Sequence, residues 1–266
     1  MKKFGLIILL VTLFATTYAQ TADEVVNKFV EASGGKEKLN SIKTLQYKQH
    51  IKLNLPMGSF DVPLQYFKEK DKFFRLQSSV AFGGQNMNFF TLVTDTAGYT
   101  FIPPNPFNGN EGGIEKISDK ALKGLQYQTD PAGLFAPLVD YAAKGNKVEL
   151  LKDDKVNKED CYKLKLTTST GQETTFLINK NTNLVARVDA KGEMAANNSG
   201  MGGMMSGLGG RMDKMEVKIE YTNYTDVDGL KFPTKALIKS NISDSQSEIT
   251  DIQINKEIAS KWYKAQ

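Results

Sequence analysis

Side chains able to do chemistry are few in this chain. His50 is its only histidine and Cys161 its only cysteine. A thiol beside an imidazole makes a nucleophile, because the imidazole takes the thiol proton. Neither residue sits in a pattern that suits that task. His50 falls among the polar positions of an alternating stretch, as a solvated strand residue would. Cys161 opens Cys161-Tyr162-Lys163-Leu164-Lys165-Leu166, where it reads as a strand residue. One histidine cannot build a histidine-based metal site. Met201, Met204 and Met205 are the ligand type that suits a soft metal, but no histidine or cysteine stands near them. Gly34-Gly35, Gly83-Gly84 and Gly112-Gly113 lack the lysine and helix context of a phosphate-cradling loop. Asp153-Asp154 falls in a lysine-rich turn, and Asp226 and Asp228 flank a hairpin turn, so both pairs read as solvated. No catalytic residue, metal or cofactor is expected.

The aromatic residues point elsewhere. Phe67, Phe73, Phe74, Phe89, Phe90, Tyr99, Phe101 and Phe107 crowd one third of the chain. Two readings stand. One is a core sealed by helices from the middle of the sequence. The other is a greasy concave sheet face, partly covered by those helices, that accepts an acyl chain. Its candidate wall is Phe74, Leu76, Phe89, Phe90, Leu92, Tyr99 and Phe101. Leu134, Phe135 and Leu138 would close it from the helical side. Each buried methylene contributes ~0.8 kcal/mol, so a modest groove suffices.

The elements that would position these residues follow from periodicity. Val25, Val26, Phe29 and Val30 recur at helical spacing within 22–33, with Thr21 and Glu24 placed as a capping box and Gly34-Gly35 as the stop. From Leu45 the period becomes two: Leu45, Tyr47, Ile51, Leu53 and Leu55 alternate with Thr44, Gln46, Lys48, His50, Lys52 and Asn54. Phe60, Val62, Leu64 and Tyr66 continue that pattern after Pro56-Met57-Gly58, and Phe74, Leu76 and Val80 after Lys70-Asp71-Lys72. Asp119–Gly124 and Gly133–Ala143 are the middle helical candidates. Beyond Gly145 strands follow one another, with Asp228-Gly229 as a hairpin turn. Short connections imply antiparallel pairing, and this many strands curl. The spacing thus predicts a mainly β (α+β) fold: a curved antiparallel sheet or unclosed β-barrel of about ten strands, with helices covering the concave face. Residues 195–211, AANNSGMGGMMSGLGGR, read as a flexible Gly/Met-rich loop or a mobile apolar lid.

Residues 1–19 read as a secretory signal: Lys2-Lys3, the apolar run Gly5–Ala15, and small residues at Thr17 and Ala19. Cleavage between Ala19 and Gln20 would leave 20–266 as a single domain without a lipid-bearing cysteine, exported out of the cytoplasm and unanchored; the resemblance given below implies the periplasm. The whole chain has 34 basic and 30 acidic residues, too balanced for nucleic acid. With a lone cysteine, no internal disulfide is expected, so stability rests on an extended apolar core.

Three stretches carry a resemblance: ADEVVNKFVEASGGKEKLNSIKTLQ at 22–46, KVELLKDDKVNKEDCYKLKLTTSTGQETTFLINKNTNLVARVD at 147–189, and YTNYTDVDGLKFPTKALI at 221–238. In their order they resemble the outer-membrane lipoprotein-sorting, LolA-like proteins of Bacteroidetes-type bacteria. The resemblance implies an unclosed barrel whose helices form a lid over a hydrophobic cavity, acting as a non-enzymatic carrier. Its ligands would be acyl chains of lipoproteins or lipids. Its partners would be an inner-membrane release complex and an outer-membrane acceptor, and the carrier a monomer. An arginine inside the sheet takes part in release in such carriers, and Arg75 is the candidate here. The segment 133–143, with the Gly/Met loop, would move to open the cavity. Asp95-Thr96-Ala97 resembles a short O-glycosylation signal of such bacteria. Other classes predict other features: an envelope hydrolase or accessory domain a wet acidic cleft, a structural partner of an outer-membrane complex an apolar surface patch.

Overall fold

Strict alternation makes half-buried strands, and strands dominate the computed structural model, which describes residues 20–55, 58–82, 85–104, 111–200 and 212–266. The signal segment 1–19, the Pro56-Met57 turn, Gly83-Gly84, Phe107 and Met201, Met204 and Met205 lie outside the described residues. Among the described residues thirteen strands form one antiparallel sheet where alternation predicts about ten. They are β1 (Thr44–Leu55), β2 (Gly58–Glu69), β3 (Phe73–Phe82), β4 (Gln85–Thr94), β5 (Gly98–Ile102), β6 (Gly113–Lys116), β7 (Lys147–Val156), β8 (Glu159–Thr167), β9 (Glu173–Asn179), β10 (Val185–Lys191), β11 (Glu216–Val227), β12 (Leu230–Ser240) and β13 (Ser245–Ile254). The short strand β6 has no apolar alternation, so no pattern announces it. Asp153 and Asp154 belong to β7 and not to a turn.

The order along the sheet is β6-β5-β4-β3-β2-β1-β13-β12-β11-β10-β9-β8-β7. Two sequential meanders therefore meet where β1 pairs with β13, and β6 and β7 end the order among the described residues. Register shifts at Gln46/Lys48, Leu151/Asp154 and Val185/Arg187 mark bulges, which bend strands and help the sheet curl. The two-residue connection Asp228-Gly229 has positive φ at both positions (54° and 77°), the backbone a tight primed hairpin turn needs.

Three pieces cover the concave face. The first is α1 (Ala22–Ala32), whose capping box between Thr21 and Glu24 is complete and whose buried stripe is Val25, Val26, Phe29 and Val30. A one-turn helix, α2 (Lys36–Asn40), follows it. The second is the stretch 117–146, which runs from one sheet edge to the other. It holds α3 (Asp119–Leu125) and the 3-10 turns Gln126–Thr129 and Ala136–Leu138. The expected helix over 133–143 does not form. Pro137 supplies no backbone N–H, and Gly133 and Asp140 take φ of 85° and 50°, so the helix is interrupted from within. The third piece is α4 (Gly192–Asn198), packed on β10 and β11. Ala195–Asn198 are thus helical, not loop; 201–211 lie outside the described residues.

Gly34 shows how closely α1 is docked. At φ 121°, a Cβ there would stand 2.5 Å from the carbonyl oxygen of Gly229 in the β11–β12 hairpin. Ser33 also accepts a hydrogen bond from the Lys231 amide at 3.0 Å. Gly34→Ala combines backbone strain with a clash against main chain, and is expected to lower unfolding free energy by about 3 kcal/mol in urea titrations.

Candidate functional site

Antiparallel strands put residues i and i+2 on one face, and β1 and β2 use this to send Tyr47, Gln49, Tyr66 and Lys68 into the concave side. Opposite them, β9 contributes Thr174 and Phe176 and β11 Ile219 and Tyr221. Tyr127, Gln128 and Leu134 to Pro137 form the roof, with Met194, Asn197 and Asn198 of α4. Together they enclose a cavity of about 90 Å³. A dry cavity of roughly 150 Å³ admits benzene, so this one has room for small molecules such as water but not for an acyl chain.

The roof is pinned by aromatic and polar contacts. The Phe135 ring meets Phe29 of α1, Phe176 of β9 and Tyr221 of β11 edge-on, at 6.0, 6.2 and 5.2 Å between centroids. Around it, Asp140 takes both Lys36 and the Asn40 amide, and Lys144 pairs with Asp130. The Tyr141 hydroxyl donates to Asp23.

Lys68 is the unusual member of the wall. It is 5% exposed, and its Nζ lies 5.7 Å from the Phe74 ring centroid. Its hydrogen bonds are long: 3.4 Å to Gln128 Oε1 and 3.5 Å to the Asp130 carbonyl, both on the roof. Among the described residues it has no ion pair. Burial lowers its pKa from 10.5 to about 8, with the Asp130 charge offsetting part of that fall. Near pH 7 Lys68 is therefore still an ammonium. Tyr47, Tyr66, Tyr127 and Tyr221 are pushed the other way by burial, far above the ordinary phenol range, so they remain neutral donors. Tyr47 and Tyr66 stack at 4.4 Å. Thr174 Oγ1 and Asn198 Nδ2 are buried on the cavity lining and have no hydrogen-bond partner among the described residues.

The depressed lysine has a stability consequence. Between pH 8 and 10.5 the unfolded chain holds more protons at Lys68 than the folded one, so this group makes stability rise with pH across that window and lowers it below pH 8. The full effect is ~3 kcal/mol. Lys68→Met is expected to unfold at higher urea than the wild type at pH 7, with the gap narrowing by pH 9.5, below the tyrosine range.

The ten acyl-wall candidates divide between the two sheet faces. Leu134 and Phe135 line the cavity, and Leu138 is fully buried in the same core. Phe74 packs beside Tyr66, while Leu76 and Phe89 line an apolar hollow further along the concave face with Ile51, Leu53, Val62 and Leu64. Phe90, Leu92, Tyr99 and Phe101 face the convex side instead. There they form a separate cluster with Phe67, Phe73 and Ile258, under Trp262 and Ala265. Arg75 is on that side too, away from the roof. Its guanidinium sits 4.4 Å from the Phe90 ring centroid and donates to the backbone oxygens of Trp262, Lys264 and Gln266.

Sequence reasoning passed over the polar wall, though a signal was available. Gln49 and Lys68 occupy the apolar phase of their strands, after Leu45-Tyr47 and Val62-Leu64-Tyr66. His50 is an exposed residue 3.6 Å from Asp61. Cys161, on β8 six strands from β1, is buried with Val156 of β7 and Leu177 of β9, and burial raises its thiol pKa. The two form no catalytic pair. The Asp153-Asp154 carboxylates pair with Lys180 and Lys163. Asp95 and Thr96 are exposed in the β4–β5 turn. Among the described residues no helix is long and apolar enough to cross a membrane.

No family model matches the chain, and no curated protein matches it. Solved structures do. A LolA superfamily protein from Nitrosomonas europaea superposes with TM-score 0.55 over 92% of this chain and 98% of its own, at 13% identity. A putative outer membrane lipoprotein-sorting protein domain from Vibrio parahaemolyticus gives 0.52, over 90% and 94%, at 11% identity. At such identities the likeness is one of architecture, and the chain has the LolA-like fold.

Proposed function

We propose that this protein is a periplasmic carrier that binds acyl chains of lipids or lipoproteins between its sheet and its lid, without catalysing a reaction. The observation that carries the reading is the lidded cavity. A curved sheet presents a largely apolar concave face, and the 117–146 crossing, α1 and α4 close it. Space inside the closed form is too small for a chain, so loading requires the lid to rise about the Phe135 contacts. Lys68, which reaches the lid from the sheet through Gln128 and Asp130, is the residue placed to gate it. The likeness to LolA superfamily and lipoprotein-sorting structures supports the same reading. An inner-membrane donor and an outer-membrane acceptor are the partners such a shuttle requires.

Protein purified from its own periplasm is expected to release acyl lipid on solvent extraction, and to show a lipid-bound mass in native mass spectrometry. The emptied protein is expected to bind a fluorescent fatty acid. Absence of both signals would overturn the carrier reading.

A further inference from the structure

The concave face changes character along the strands, and this assigns an orientation to what it holds. On β1, Tyr47 and Gln49 are followed by Ile51 and Leu53; on β2, Lys68 and Tyr66 are followed by Leu64 and Val62. The cavity end is polar and donor-rich. The hollow at the other end is apolar. Gly200 stands between them: a Cβ there would meet the Tyr66 hydroxyl at 2.6 Å and Leu64 Cδ1 at 2.8 Å.

Resting on the carrier reading, we propose that the ligand is a single-chain amphiphile with an anionic head, bound head-inward against Lys68 with its tail along Leu64, Ile51 and Leu76. Three observations converge. Lys68 is a buried cation with long hydrogen bonds and no ion pair among the described residues, and a buried charge is costly unless a partner compensates it. Thr174 Oγ1, on a residue 3% exposed, and Asn198 Nδ2 line the same cavity without a partner among the described residues, and both groups can donate. The seven residues of β2 from Lys68 to Val62 span ~20 Å. One leaflet of a ~30 Å hydrocarbon core holds chains of about 15 Å, so that track fits one head and one tail. The head chemistry is a carboxylate or a phosphate monoester, since an ammonium binds either as a point charge.

The test uses emptied mature protein at pH 7 and three probes sharing one chain: palmitate, 1-palmitoyl lysophosphatidate and neutral 1-monopalmitoylglycerol. Displacement of a fluorescent fatty acid gives the affinities. The anionic probes are expected to bind at least tenfold tighter than the neutral one. Lys68→Met is expected to bind all three alike, and Lys68→Arg to retain the preference. Palmitate ahead of lysophosphatidate identifies a carboxylate head, and the reverse a phosphate head. Equal wild-type affinities, or a preference that survives in Lys68→Met, overturn the oriented anionic site while leaving the carrier reading intact. Failure of every probe to bind overturns the carrier reading and this inference with it. Circular dichroism of each variant shows whether the sheet is folded, and Lys68→Arg keeps the test decisive if Lys68→Met does not fold.

Discussion

Replacing Phe135 with alanine is expected to lower the unfolding free energy by about 3 to 5 kcal/mol, the range for removing a large ring from a packed interior. Phe135 is 7% exposed and touches the N-terminal helix and two separate strands through its ring. The loss is therefore shared by every element that the lid joins. The roof should loosen before the sheet does, because the strands keep their ladders when the ring is gone. Hydrogen exchange is expected to show amides of 126–145 losing protection while β1, β2 and β13 retain theirs. A fluorescent fatty acid should also load faster onto the variant. Unchanged protection over 126–145 would show that the ring does not pin the lid.

Arg75→Ala is the second large effect, expected at about 3 kcal/mol. Charge-assisted hydrogen bonds contribute ~1.5 to 3 kcal/mol each, and a desolvated cation–π contact about 2 kcal/mol. Desolvation of the guanidinium offsets part of the sum, and burial does lower its pKa. What the substitution releases is the tail. Trp262 stacks on Phe67 at 4.8 Å and Tyr263 on Phe73 at 4.4 Å, while three backbone oxygens converge on Arg75. Trypsin is expected to cut after Lys261 and Lys264 many times faster in Arg75→Ala than in the wild type. Arg75→Lys should not restore resistance, because a lysine cannot reach several carbonyls with a planar fork. A tail that stays resistant in Arg75→Ala would show that the ring stacks alone hold it.

The fold was legible where a residue's face decides its character. Alternation in β1 and β2, the Thr21 capping box and the Asp228-Gly229 turn all express local rules. Alternation says that two faces exist, but not which one is concave. Phe73-Phe74 and Phe89-Phe90 each send one ring to either side, so Phe74 and Phe89 join the concave core while Phe73 and Phe90 join the convex cluster. What covers the convex ring set is the chain's own tail, and only the long-range order of strands brings it there. Gln49 and Lys68 escaped notice for the opposite reason. They interrupt an apolar phase, and an interruption looks like noise until the partners Ser247 and Gln128 are seen beside them.

The pairing of β1 with β13 joins Leu45 to Ile254 in the middle of the sheet, not at its rim. Closing a loop of roughly 200 residues costs about 5 kcal/mol of chain entropy, far more than any neighbouring hairpin does. The two meanders can each assemble from local pairings, while the seam must wait for the last strand to arrive. A chain made from its N-terminus thus keeps its greasy interior open until β13 has been made. β13 acts as a keystone, and the enclosed core comes into being only when it pairs with β1.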